Sequence, residues 1–145
     1  MRSSNRSPLA ALAVAVTVTL VTGCMMFIRP PADSEFGRTR VGMTGIYRAT
    51  ITPAGDTIPQ GVLQQWTLHV ETVAGTPVDS ATVSIDGGMP QHGHGLPTKP
   101  LVTTILGNGN HLVEGLKFNM GGWWVVKFHI TAAAGADTVV FNLKL

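Results

Sequence analysis

The feature that most constrains this chain is a period-two alternation of apolar side chains, which recurs through its C-terminal two-thirds. In Gln65-Trp66-Thr67-Leu68-His69-Val70-Glu71, the apolar Trp66, Leu68 and Val70 share one face and polar residues take the other. Successive side chains of a strand point to opposite faces, so such a segment buries one face of a sheet and wets the other. Ala81, Val83 and Ile85 repeat the pattern up to an Asp86-Gly87-Gly88 turn signal. Trp124, Val126, Phe128 and Ile130 repeat it within Trp123 to Ile130, and Val139, Phe141, Leu143 and Leu145 close the chain on it. Gly45 to Thr52, Leu101 to Leu106 and His111 to Phe118 supply further strands, the last entered through Gly107-Asn108-Gly109-Asn110. No 3.6-residue apolar repeat appears from Gly42 onward. Short strands separated by Gly, Pro and Asn turns predict an all-β fold, an immunoglobulin-like β-sandwich of about seven strands over residues 42–145. With one cysteine in the chain no disulfide staples the sheets, so three tryptophans and five phenylalanines must hold them by burial. That burial is worth about 25 cal/mol per Å² of apolar surface.

Upstream of the sandwich the sequence changes character. Arg2 and Arg6 stand with no acid beside them, and Leu9 to Leu20 is an unbroken run of Leu, Ala, Val and Thr. That run is too short to span a bilayer as a helix, which needs roughly 20 residues. A basic start, a short apolar run and small residues after it describe an export signal. Val21-Thr22-Gly23-Cys24 resembles the bacterial lipobox, with Val21 where Leu is more usual. The resemblance implies that residues 1–23 are a lipoprotein signal peptide and that Cys24 is the lipidation site. Cys24 is the single cysteine, and an exported thiol with no partner would otherwise be a liability. Residues 24–41, rich in Pro, Gly and Arg and without apolar periodicity, read as a lipid-anchored tether. Extended, Met25 to Arg40 reaches roughly 50 Å at about 3.3 Å per residue. The expectation is an exported lipoprotein held to a membrane on its extracytoplasmic side, in the periplasm or at the cell surface.

This origin removes the meaning of the basic pI of about 9.0. Two of the ten basic residues, Arg2 and Arg6, leave with the signal, so eight basic residues face eight acids. With no basic stripe and no interleaving of aromatic and basic side chains, nucleic acid is excluded as a partner. The chain carries no HExxH, GxSxG, Walker or dinucleotide signature, and its only cysteine is committed to the anchor. The expectation is that it is not an enzyme.

One segment breaks the strand pattern with unusual chemistry. Asp86-Gly87-Gly88-Met89-Pro90-Gln91-His92-Gly93-His94-Gly95-Leu96-Pro97 places two of five histidines two residues apart among glycines, with Met89 three residues before the first. Phe118-Asn119-Met120-Gly121-Gly122-Trp123 puts a second methionine at a glycine-rich corner. Imidazole suits copper and zinc, whereas a thioether is a soft ligand that favours Cu(I). In an oxidising compartment thiolates are consumed as disulfides, leaving Met and His as durable soft and borderline donors. Met89, His92, His94 and Met120 are therefore the candidate metal ligands. His111, following a turn, is a further candidate if it reaches the same end of the domain. Against this, a His-Gly-His pair in a loop is often solvated filler, and a strand-corner methionine is often core. His69 and His129 alternate with buried positions and are expected to face solvent. Asp86 reads as a turn former, because Asp-Gly is a hairpin signal.

The block from Gly88 to Pro97, followed by the segment from His111 through Phe118-Asn119-Met120-Gly121-Gly122 to Trp124, resembles the YtkA-like domain family, whose general form FixH-like proteins share. The similarity spans about residues 60–132. It implies a small immunoglobulin-like sandwich outside the cytoplasmic membrane, associated with copper handling or the assembly of copper oxidases. By position it points to Met89, His92, His94 and Met120. FixH-like proteins typically keep a membrane helix, where this chain has a lipobox.

Two functions from different classes follow. The first is a lipid-anchored carrier or buffer of copper ion, serving a copper enzyme or copper chaperone as partner. The second is a metal-free interaction module, in which the Gly/Pro/His loop contacts a protein and Met120 with one tryptophan is core. A third arrangement, Zn²⁺ on His92, His94, His111 and an acid, would be indifferent to loss of either methionine.

Overall fold

A computed structural model describes residues 29–145. The expected signal peptide, residues 1–23, and the expected lipidation site at Cys24 lie outside the described residues. The strands are β1 (Thr39–Val41), β2 (Tyr47–Pro53), β3 (Gln64–Thr72), β4 (Thr82–Met89), β5 (His94–Gly95), β6 (Leu101–Gly107), β7 (Asn110–Leu116), β8 (Trp123–Ala132) and β9 (Gly135–Lys144). They form two antiparallel sheets, in the orders β1-β2-β3-β7-β6 and β5-β4-β8-β9. The all-β sandwich expected from the alternation is what forms.

The inner faces are those the alternation named. Trp66, Leu68 and Val70 of β3 face Trp124, Val126, Phe128 and Ile130 of β8, and Val139 and Phe141 of β9 complete the layer, all fully buried or within a percent of it. Phe128 and Phe141, on neighbouring strands, meet edge to face at 5.7 Å. That geometry favours the positive ring edge over the negative face.

Three details differ from the sequence reading. Among the described residues the sandwich has nine strands rather than about seven. One of the extra strands, β1, comes from the stretch read as tether: Arg40 pairs with Ala49, so the sheet begins before Gly42. The other, β5, lies inside the histidine loop. Finally, Asp86-Gly87-Gly88 is not a turn. Here β4 runs straight through it, pairing Asp86 with Lys127, Gly87 with Val126 and Gly88 with Val125. A neighbouring strand that satisfies the backbone overrides a local Asp-Gly preference. The turn falls later, in a single 3-10 turn over Pro90–His92 that ends at Gly93 in the left-handed region, φ 66°.

At the far end of the molecule a buried carboxylate ties the two sheets together. Asp137 of β9 accepts backbone N–H bonds from Thr44 (2.9 Å), Ile46 (2.9 Å), Tyr47 (3.1 Å) and Thr138 (2.7 Å). Burial pushes its carboxyl up, and the bonds from Thr44, Tyr47 and Ile46 together outweigh that, holding it below the ordinary carboxylate range.

Candidate metal centre

The site is built on the β4–β5 hairpin. Gly88 pairs with Gly95 and Met89 with His94, while the Gly93 N–H donates to the Met89 carbonyl at 3.0 Å to close the turn. Gly88 is required here, because a Cβ at that position would run into the His94 carbonyl. Cross-strand partners share a face of the sheet. Met89 points inward and is fully buried, so its partner His94 also points toward the inner side, but from the sheet's edge, where it stays exposed.

His94 there meets the buried core. Its ring lies 6.0 Å from that of Trp124 in an edge-on arrangement, and Trp124 in turn contacts Phe118 at 5.2 Å and Phe118 contacts Trp66 at 5.8 Å. The exposed imidazole therefore sits on a rigid aromatic column rather than on a mobile loop. His92 stacks on His94, with ring centroids 5.8 Å apart and planes inclined by 20°. Two imidazole nitrogens each about 2.0–2.1 Å from one ion place their ring centroids at most about 6.4 Å apart. The pair is within that span. The Nδ1 of His94 lies 3.3 Å from the Gly95 carbonyl. Donation from Nδ1 leaves Nε2 with its lone pair, the tautomer a metal needs.

The second segment arrives from β7. The corner between Phe118 and Trp123 packs on the hairpin, and Gly122 is the contact. A Cβ at Gly122 would run into the Gln91 amide and lie 2.9 Å from Cε of Met89. Met120 is 40% exposed, and its carbonyl accepts the Trp124 indole N–H at 3.0 Å. Met89, His92, His94 and Met120, from two segments about thirty residues apart, thus lie at one end of the sandwich. They are not equivalent: the imidazoles and Met120 are open to solvent, whereas Met89 is part of the core beneath them. A shallow groove of about 360 Å³ runs alongside, with Gly88, Met89, His94 and Trp123 among its walls.

His111 does not join them. It opens β7, opposite Leu68 of β3, whereas the candidate site lies past the other end of β7 beyond Leu116. Its ring is fully buried, with Nδ1 3.0 Å from the Gly109 carbonyl and Nε2 3.3 Å from the Asp79 carbonyl. Both nitrogens face backbone carbonyls, and the strand's length separates them from the hairpin. The zinc arrangement that needed His111 loses that ligand. Among the described residues no group of three or more His, Cys, Asp or Glu is placed to hold an ion. The donor set at the hairpin is instead two imidazoles with thioethers, which fits a soft ion. His69 and His129 lie on outer faces, bonded to Asn110 at 3.1 Å and Thr138 at 3.0 Å.

Two contributors escaped the sequence reading. Trp124 looked like core alone, yet it seats His94. Gly88 looked like part of a turn, yet it permits the close pairing that fixes His94. The one available signal was the pair of glycines, Gly88 and Gly95, bracketing Met89 and His94 at matching distances.

The family described as YtkA-like matches residues 47–129, from the start of β2 to His129 in β8. No curated protein and no solved structure matches the chain.

Proposed function

The chain belongs to the YtkA-like family, and from that premise we propose that it is a lipid-anchored extracytoplasmic copper-binding protein, a carrier or buffer serving a copper enzyme or chaperone. The observation that carries the proposal is the His92–His94 pair, stacked at 5.8 Å over Trp124 with Met89 and Met120 in the same corner. The imidazoles supply borderline nitrogen donors, and Met120 a soft sulfur that favours Cu(I) over Cu(II) and Zn²⁺. Met89 supplies sulfur from below only if it moves out of the core, so it acts mainly as the hydrophobic floor. An exposed site with exchangeable ligands suits release to a partner. Nothing in it resembles machinery for breaking a covalent bond.

Titration of the full chain with Cu(I) against a competing chelator tests this. The double variant His92→Ala/His94→Ala should bind about 100-fold more weakly, equivalent to about 2.7 kcal/mol. Equal affinity in the two proteins would overturn the reading.

A second reading, a metal-free interaction module, is favoured by Trp123. Its neighbour Trp124 is buried, whereas Trp123 lies half-buried on the outer face beside the glycines of the groove. Under that reading the same partner is captured with and without a copper chelator.

A further inference from the structure

We propose that β6 is a self-pairing edge, through which two copies of this chain join their five-stranded sheets. A strand at the end of a sheet leaves one row of N–H and C=O groups unpaired, and folded proteins generally blunt such edges. Among the described residues, the other three terminal strands are short or covered. Strand β1 is three residues long and carries Arg40, and β5 has two residues. The free side of β9 is taken by the segment before β2: the Thr138 carbonyl accepts the Met43 N–H at 2.9 Å, and the Asn142 amide donates to the Glu35 carbonyl at 3.3 Å.

Strand β6 is the exception. It ends its sheet, runs seven residues and contains no charge and no proline. Leu101, Ile105 and Leu106 are each more than half exposed. Ile105 is the informative one. It pairs with His111, which is fully buried, so both are on the inner face, yet Ile105 is 56% exposed. Strand β4 of the opposite sheet packs against β6 but leaves Ile105 open. An inner-face isoleucine left open beside an unpaired backbone edge is a vacancy with the chemistry of an apolar strand.

The sequence of the edge identifies which strand fits. Leu101-Val102-Thr103-Thr104-Ile105-Leu106 is a palindrome in side-chain character. A two-fold axis between Thr103 and Thr104 sets Leu101 opposite Leu106 of the second copy, Val102 opposite Ile105, and Thr103 opposite Thr104. Every pair is like with like, and antiparallel partners of this kind stabilise a sheet. Val102 pairs with the buried Val113, so the Val102–Ile105 pair falls on the inner face of both sheets and covers the open isoleucine. Neutral residues throughout mean that the self-pairing meets no charge repulsion. The register irregularities that flank Thr103 and Leu106 twist the strand and confine contact to these six residues. The contact is therefore smaller than the roughly 1,000 Å² of a stable interface, and the dimer forms reversibly at high local concentration.

Sedimentation equilibrium of the full chain in a density-matched detergent tests this, over about 10 μM to about 1 mM. A reversible monomer–dimer equilibrium is expected. Thr103→Lys, at an exposed position, should weaken it at least tenfold, while tryptophan emission reports an unchanged fold. The double variant Thr103→Lys/Thr104→Glu should restore it, because the proposed register sets the new ammonium opposite the new carboxylate. A monomer throughout, a dimer indifferent to Thr103→Lys, or no recovery in the double variant would each overturn the proposal. None of these substitutions touches the histidine hairpin, so copper binding is read separately.

Discussion

The two ends of the sandwich each hold histidine and a glycine-rich turn, and they use them oppositely. At one end His111 is fully buried, both ring nitrogens lie against backbone carbonyls, and Asp137 nearby in the fold collects four N–H bonds. At the other end His92 and His94 are exposed, and the one bond made by a ring nitrogen leaves its partner nitrogen open. A buried polar group must spend its bonding capacity on the protein or cost stability. An exposed one supported by a rigid seat keeps that capacity for a ligand. Burial and bonding, rather than residue type, separate the structural histidine from the candidate ligands.

That contrast can be broken at several points. The largest effect is expected at Asp137, where Asp137→Ala strands several N–H groups and should cost about 3 kcal/mol in urea unfolding, with Cu(I) affinity unchanged. Because its folded pKa is depressed, the stability Asp137 provides is complete above its unfolded value near 3.8. It is lost as pH falls through the lowered folded value. Asp137→Asn should flatten that acid limb in a pH series of melts, and an unaltered limb would assign it to another group.

A smaller effect is expected at His111. His111→Leu keeps the volume apolar but removes the imidazole N–H from the backbone carbonyls it faces; Gly109 still accepts the Val70 N–H at 2.7 Å, so the cost is about 1 kcal/mol. Chelator competition should give the same Cu(I) affinity as the parent chain within about twofold, less than 0.5 kcal/mol. A larger loss would mean that the two ends are not independent. The smallest effect is expected at Met120. With its side chain 40% exposed, Met120→Leu should leave the melting temperature in place. It should weaken Cu(I) binding about threefold to tenfold and leave Cu(II) binding intact. Equal losses for both oxidation states would remove the thioether from the site.

Much of the fold was legible because alternation is a local property. Trp66, Leu68, Val70, Trp124, Val126, Phe128 and Ile130 announce their face within a few residues of chain. The chemistry of the Met89–His94 loop and the Met120 corner was legible for the same reason, as residue types in an unusual cluster. The course of β4 was not. Asp86-Gly87-Gly88 carries a turn signal, and only the ladder offered by β8, about forty residues later, straightens it. His111 was equally ambiguous. A histidine after a turn points to either end of the domain until β7 is paired with β3.

The sequence by itself therefore determined the class of fold, the faces of its principal strands and the donors available to a site. The tertiary structure decided which donors share an end, that Met89 lies under the imidazoles rather than beside them, and that β6 ends its sheet uncovered. The reason is physical. Side-chain direction follows from the backbone of a single strand, whereas burial and proximity depend on which strands pair, through contacts between residues distant in the chain.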